Sequence, residues 1–413
     1  MNATFEIERL GAQGDGIART QSGPVYIRYA LPGETVTAAR AGDRADLIAV
    51  VKPSPRRVEP PCRHFGACGG CALQHLDPEA YNAWKRAKVV DALKGAGIDA
   101  PVAAIVPCAA GTRRRLTFAG RRTAAGMLLG YHEALSHRIV DIVECPIARP
   151  EIVAKLGALR GLAAILATGP EPFRMTVTAT ASGLDIACEE TGRLADATRL
   201  AAIDFVRRAG FARLCVGGEV IVAARPPVVM FGAVAVEPPP GAFLQATAEA
   251  EEAMAARVAG HLAGAKRVAD LFCGSGTFAL RLAARASVHA VESDAAPLAA
   301  LDRAARLAGG LRQVTAERRD LFRRPLIARE LERFDGLVFD PPRAGAQGQS
   351  RQIARSDVPR VAAVSCNPAT LARDLAILVA GGYRVASVTP IDQFLWSGHV
   401  EAVALLEKPA RRR

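Results

Sequence analysis

The sequence predicts an α/β protein with a Rossmann-like C-terminal domain, a mixed α+β central domain before it and a small N-terminal β-barrel. Three observations lead there. From residue 241 to 413, strand and helix patterns alternate, which implies a mainly parallel sheet covered on both faces. Inside that stretch, Val268–Phe278 (VADLFCGSGTF) reads as a strand, a tight glycine turn and a helix start. Residues 1–57 instead alternate over short stretches broken by turn residues, the pattern of a small closed barrel. A chain of 413 residues suits two or three domains, and these patterns divide it at 1–57, 58–240 and 241–413.

In the first domain the strands centre on Phe5-Ile7-Leu10, Val25-Ile27-Tyr29, Glu34-Val36-Ala38 and Leu47-Ala49-Val51. Gly14-Asp15-Gly16, Pro32-Gly33 and Gly42-Asp43 are the turns between them. Basic residues recur (Arg9, Arg19, Arg28, Arg40, Arg44), and Pro53–Arg57 reads as a linker. The central domain opens with a helix over Tyr81–Ala96, bearing Lys85, Arg86 and Lys88 and expected to pack on the C-terminal domain. Strands follow at Arg113–Phe118 and Leu128–Tyr131, then a helix at Glu151–Ala167. A hairpin of Met175–Ala179 and Leu184–Ile186 and a strand pair within Leu214–Ala223 complete it. The C-terminal strands are Arg267–Leu271, Val288–Glu292, Gly336–Phe339, Arg360–Ser365, Tyr383–Asp392 and Val400–Glu407, with Lys408–Arg413 expected as a disordered tail.

Lys and Arg number 53 against 41 Asp and Glu; the net +12 favours a polyanionic partner, nucleic acid above all. No apolar run approaches the roughly 18 residues of a membrane span. Met1–Leu10 alternates like a strand and does not resemble a secretory signal. A cytoplasmic protein with no membrane partner is expected. There, nine cysteines serve as metal ligands, catalytic groups or core and do not form disulfides.

Three thiols fall within ten residues, Cys62-Arg-His-Phe-Gly-Ala-Cys68-Gly-Gly-Cys71, and the glycines let the backbone curl around one centre. Cys145, in Glu144-Cys145-Pro146-Ile147, is the natural fourth ligand. A distant fourth cysteine suits an iron–sulfur cluster. A four-cysteine zinc site is the alternative, although zinc more often takes two closely spaced pairs. Cys108, Cys188, Cys215 and Cys273 read as core or bystanders.

At the glycine turn, Gly274 and Gly276 permit close approach of a ligand, and Glu292, about 20 residues on, suits ribose hydroxyls. The third glycine of a dinucleotide motif is missing, which favours S-adenosylmethionine over NAD. Asp340-Pro341-Pro342-Arg343 follows a buried strand, and its rigid diproline projects its neighbours into the cleft beyond the strand ends. Such a motif goes with base methylation, on nitrogen or on carbon. Cys366, in Val364-Ser365-Cys366-Asn367-Pro368, decides between them. Carbon 5 of uracil is a poor nucleophile until a thiolate adds to carbon 6, and a base must then remove the carbon-5 proton. Glu401 is the candidate base. His399, two residues earlier, is expected to share its strand face and orient it.

With these motifs in this order, the chain resembles the RNA uracil-5-methyltransferase family over nearly its whole length. Within it, the resemblance is to the iron–sulfur-containing branch that acts on 23S ribosomal RNA. The N-terminal stretch is similar to a TRAM domain, an RNA-binding barrel, on Gly14-Asp15-Gly16 and Pro32-Gly33-Glu34. The resemblance implies a class I methyltransferase domain with Cys366 as nucleophile and Glu401 as base. It implies that Gln245, Phe272, Thr277, Glu292, Asp320 and Asp340 bind the cofactor, beside Gly274 and Gly276 of the turn. It also implies a [4Fe-4S] cluster on Cys62, Cys68, Cys71 and Cys145, with 23S rRNA and no DNA as partner, and a monomer. The chain departs from the family pattern at Thr277 and Thr247, where Asn is frequent. It departs again at Gln393-Phe-Leu-Trp-Ser397, where many members read Met-Phe-Pro-His-Thr, so substrate positioning near the base is expected to differ. The alternatives are the same chemistry on transfer RNA, a catalytically silent RNA-binding module and an amino-methyltransferase. The last has no use for Cys366, and Asp340, Cys366 and Glu401 speak against the silent module.

Overall fold

The structure is a computed structural model that describes residues 2–409. Its first sheet holds β1 (Asn2–Glu6), β2 (Arg9–Leu10), β3 (Gly16–Thr20), β4 (Gly23–Ile27), β5 (Thr35–Ala41) and β6 (Arg44–Lys52), in the order β1-β5-β6-β4-β3-β2. β1 and β2 belong to one stretch of chain. Its first half pairs with β5 and its second with β3, while Ile7 N and Glu8 N donate to Glu34 O and Ile17 O between them. The sheet order therefore begins and ends on the same few residues, around a core of Phe5, Val25, Ile27, Val36 and Ala38. Sequence reasoning gave no strand at β3, because Gly14-Asp15-Gly16 reads as turn throughout. The turn is closed by Gly11 N donating to Asp15 O, and Gly16 already belongs to the strand, where a Cβ would come 2.7 Å from Ala30 O.

The stretch read as a linker is docked. Ser54 is buried, and Arg57 donates to both carboxylate oxygens of Glu34 at 2.6 and 2.8 Å. Helix α1 (Pro78–Gly95) follows, capped by Asp77, whose carboxylate accepts from Glu79 N and Ala80 N.

A seven-stranded sheet comes next. It holds β7 (Arg115–Thr123), β8 (Gly126–His132), β9 (Ile139–Asp141), β10 (Phe173–Thr180), β11 (Gly183–Glu189), β12 (Arg213–Val216) and β13 (Glu219–Ala223), ordered β13-β12-β11-β10-β7-β8-β9. The helix expected over 151–167 is two, α2 (Pro150–Val153) and α3 (Leu156–Leu166), broken at Ala154–Lys155. Leu159, Leu162 and Leu166 of α3 share a core with Phe118, Met175 and Val177, and α4 (Asp196–Ala209) adds Ala202 and Val206 to it. A two-stranded hairpin, β14 (Val229–Phe231) and β15 (Val234–Val236), packs instead into the core of the last sheet.

That last sheet holds β16 (Arg267–Leu271), β17 (Ser287–Glu292), β18 (Val314–Arg318), β19 (Gly336–Phe339), β20 (Arg360–Ser365), β21 (Arg384–Ile391) and β22 (Glu401–Glu407), ordered β18-β17-β16-β19-β20-β22-β21. Its strands are parallel except β22, which runs antiparallel between β20 and β21. The helices around it are α5 (Ala248–His261), α6 (Ala279–Leu282), α7 (Ala295–Leu307), α8 (Ala328–Leu331), α9 (Gln347–Arg355) and α10 (Pro368–Ala380). The strand order reverses between β16 and β19, and a crevice opens beyond the carboxyl ends of strands at such a point. α1 leaves the central sheet and lies against this one, with Val89 and Leu93 in a core shared with Leu371, Leu375 and Val388. Lys408 is held by Ala354 O and Ser356 O, and residues 410–413 of the expected tail lie outside the described residues.

Candidate active site

The crevice is floored by the strand ends. After β16 the chain turns through Phe272 (φ 62°), Gly274 (φ 53°) and Gly276 (φ 102°), a left-handed course that glycine adopts freely and Phe272 does not. Gly274 N donates to Glu292 Oε2 (3.1 Å) at the end of β17, while Glu292 Oε1 accepts from Ser293 N (2.6 Å) and Asp294 N (2.9 Å). Asp320, after β18, accepts from Phe322 N and Arg323 N, and the Phe322 ring lies 5.5 Å from that of Phe272. Thr277 opens the segment into α6, its carbonyl bonded to Arg281. Asp340 follows β19 and accepts from Gln245 Nε2 at 2.9 Å. The expected cofactor residues thus stand along one edge of the sheet. Ser275 Oγ, buried in the turn, has no hydrogen-bond partner among the described residues. A polar atom left unmatched in a glycine turn suits a polar ligand. S-adenosylmethionine fits this edge in its donor set and in the open space at Gly274.

The nucleophile and base candidates come from neighbouring strands. The β20–β22 ladder ends with Ser365 opposite Ala402, so Cys366 follows the last paired residue of β20 and Glu401 precedes that of β22, where it pairs with Ile391 of β21. Glu401 is 2% exposed. Burial pushes both its carboxyl and that of Asp340 upward, and the charge of Asp340 adds to the effect on Glu401. The two titrate as a pair, at about 7 and about 8. The Cys366 thiol is pushed up to about 11, first by burial, then by Glu401 and Asp340, with Arg343 opposing.

Sequence reasoning gave His399 the task of orienting Glu401. Its ring instead lies edge-on to Phe394, at 5.8 Å, and β22 begins only at Glu401, so strand alternation does not reach back to it. The side chain that holds Glu401 is Gln393, whose Nε2 donates to Oε2 at 2.7 Å. Gln393 was visible in the sequence only as a departure from the family pattern beside Asp392.

The loop from 392 to 399 is held from two further sides. Lys85 Nζ of α1 donates to Asp392 Oδ1 (2.6 Å) and Tyr81 OH to Asp392 Oδ2 (2.8 Å), and Trp396 N donates to Tyr81 OH (2.7 Å). Lys85 and Asp392 are both fully buried. Trp396 O accepts from Ala72 N and Leu73 N, just after Cys71. Lys88 bridges Ala12 O of the first sheet's turn to Gly398 O. Between that turn, α1 and Cys366 runs a groove of about 730 Å³, with Arg9, Arg56, Trp84, Lys88 and Arg343 among its lining residues.

Cys62, Cys68, Cys71 and Cys145 line one cavity of about 290 Å³, walled also by Tyr131, Phe394 and His399. Burial drives the Cys71 thiol up to about 12, and the other three thiols add to the rise. Among the described residues no three His, Cys, Asp or Glu side chains gather as closely as a single bound metal ion requires. Four thiols around one cavity nonetheless suit a polynuclear cluster in donor type and number. Cys188, Cys215 and Cys273 are buried in cores, and Cys108 is half-buried beside Thr112.

The tRNA (uracil-5-)-methyltransferase family profile matches residues 190–409 and the TRAM domain profile residues 4–39. An uncharacterized RNA methyltransferase of Mesorhizobium japonicum is 63% identical over the full length of both chains. The 23S rRNA (uracil(1939)-C(5))-methyltransferase RlmD of Pectobacterium atrosepticum is 33% identical, over 98% of this chain and 93% of its own. The solved structure of Pyrococcus abyssi tRNA (uracil-54, C5)-methyltransferase in complex with S-adenosyl-L-homocysteine is similar with a TM-score of 0.77. That likeness covers 98% of this chain and 99% of that one, and at 22% identity it speaks for the fold, the class I methyltransferase arrangement. Profile and relatives agree, and the sheet with β22 antiparallel between β20 and β21 accords with them: the chain belongs to the tRNA (uracil-5-)-methyltransferase family of RNA methyltransferases and carries a TRAM domain.

Proposed function

We propose that the chain methylates carbon 5 of one uridine in 23S ribosomal RNA, using S-adenosylmethionine and a transient bond between Cys366 Sγ and carbon 6. The observation that carries this reading is the end of the β20–β22 ladder, which leaves Cys366 and Glu401 each one residue beyond the pair Ser365–Ala402, with Glu401 and Asp340 near enough to raise the Cys366 thiol. A thiol and a carboxylate flanking one cleft suit conjugate addition to a pyrimidine better than any amino-methylation.

The Cys366 thiolate adds to carbon 6, and the electron pair moves to carbon 5, which takes the methyl group. Gln245, Phe272, Gly274, Gly276, Thr277, Glu292, Asp320 and Asp340 would hold S-adenosylmethionine, which would supply a methyl made electrophilic by its sulfonium, the S–CH3 pair staying on sulfur as a neutral thioether. Glu401 then removes the carbon-5 proton. The pair from that C–H bond re-forms the 5,6 double bond, and the carbon–sulfur bond breaks to return Cys366. The uridine must leave its stack to reach this cleft. The basic groove and the TRAM domain are read as the surface that grips RNA backbone.

We read residues 1–57, 58–240 and 241–413 as RNA-binding, cluster-bearing and catalytic domains of a cytoplasmic monomer. Cys62, Cys68, Cys71 and Cys145 would hold a [4Fe-4S] cluster that ties the cysteine loop to the central sheet. Iron and acid-labile sulfide assays with electron paramagnetic resonance on anaerobic protein test this, and zinc without iron would sink it. The 23S substrate is supported by the full-length likeness to RlmD. Tritium release from carbon-5-tritiated RNA tests the whole reading. Release from unmodified 23S rRNA is expected. Release from transfer RNA alone would keep the chemistry and overturn the substrate, and release from neither would overturn both.

A further inference from the structure

We propose that Gln393 is a positioning residue for the base, fixing which oxygen of Glu401 receives the substrate's proton. This rests on the reading of Glu401 as that base. The side chain is 1% exposed, and its hydrogen bonds determine their own direction. Ala246 N can only donate, so the Gln393 atom 2.7 Å from it is the carbonyl oxygen Oε1. The other terminal atom is then Nε2, a donor with two hydrogens. One goes to Gln245 Oε1 (2.7 Å) and one to Glu401 Oε2 (2.7 Å). Gln245 is oriented in turn, with its Nε2 donating to Asp340 Oδ2 (2.9 Å). A single backbone N–H thus sets every donor and acceptor from Glu401 to Asp340.

The consequence for Glu401 is asymmetric. Oε2 is committed to accepting from an amide that cannot accept in return, so a proton taken from carbon 5 resides on Oε1. The same donation favours the ionised carboxylate against burial and against Asp340. Gln393 cannot drift, because Asp392 before it is locked by Lys85 and Tyr81. Gln393 itself touches no reacting atom; it acts through Glu401.

The test compares Gln393→Met, which keeps length and removes the donor, with Gln393→Glu, which keeps shape and adds an acid. Both are assayed beside Glu401→Gln on the full chain with carbon-5-tritiated 23S rRNA. Both Gln393 variants should slow tritium release about ten- to hundredfold, as expected for losing one hydrogen bond to a charged group. Methylated protein–RNA adduct should accumulate on denaturing gels, the rising limb of the pH–kcat profile should move to higher pH, and KM for RNA should hold. An unmoved profile without adduct in the variant that folds would overturn the assignment, as would a raised KM at unchanged kcat. If Glu401→Gln accumulates adduct and neither Gln393 variant does, this inference alone fails. If Glu401→Gln gives neither adduct nor slow release, the base reading fails and takes this one with it.

Discussion

The cleft at Cys366 and the cavity at Cys71 are both built on buried thiols and share the 394–399 loop as a wall, yet they treat negative charge differently. Cys366 is one thiol facing two carboxylates, with Arg343 in opposition. Cys71 faces three more thiols, and ionising any of them raises the rest. The first arrangement can stay neutral and spend its single thiolate on a substrate. The second can ionise all four sulfurs only around bound cations. A cysteine's role follows from which charges surround it more than from how deeply it is buried.

The sharpest way to break that contrast is Cys366→Ala. Methyl transfer should fall by on the order of 10⁴-fold or more, with iron content unchanged; surviving activity would remove the covalent step. Cys71→Ser attacks the other pocket. On the proposed cluster it should lose iron and sulfide and, through Ala72, Leu73 and Trp396, lower methyl transfer by roughly 10–100-fold, the scale of lost outer-shell support. Full activity in an iron-free variant would mean the shared wall transmits nothing. Lys85→Met strips Asp392 of its partner and should cost roughly 3–5 kcal/mol in denaturant titration, with Lys85→Met/Asp392→Asn recovering part of the loss. Equal stability of the single and double variants would rule out the uncompensated charge as the cause.

The mildest test is pH. As the proposed base, Glu401 must be ionised to accept a proton, and with burial raising its carboxyl to about 8 and that of Asp340 to about 7, kcat should climb from pH 6 to 9. Thiolate at Cys366, scarce below about 11, adds to the climb. Stability runs the other way. These folded carboxyls bind protons more tightly than unfolded ones, so their contribution is complete at acid pH and is lost as pH rises through about 8. A flat kcat profile beside a constant melting temperature would contradict both.

The strands beneath the site were legible because they are continuous apolar runs: β16, β19 and β20 lie where the sequence put them. β18 was missed because Val314–Arg318 is an edge strand with its residues exposed or half-exposed, and so carries no buried alternation. The helices between these strands were expected but not delimited, and α5 shows why. Its buried face includes Glu251, paired with Arg114 and Arg281, so a charge stands where periodicity would look for an apolar residue. Cys366 and Glu401, the proposed nucleophile and base, stood out in the sequence by residue type. Gln393 did not, since a neutral amide becomes meaningful only when its three partners, two of them 147 and 148 positions away, are seen around it.

The grip of α1 on the 392–396 loop joins residues 307 to 315 positions apart. A ribosome adding about 5–20 residues per second needs on the order of 15–60 s to travel from Lys85 to Asp392. Throughout that interval the helix has no partner for its lysine and must wait in water while the sheets behind it are still being made. The catalytic loop therefore closes only on a nearly finished chain. A product terminated before residue 392 lacks both the loop and the counter-charge for α1.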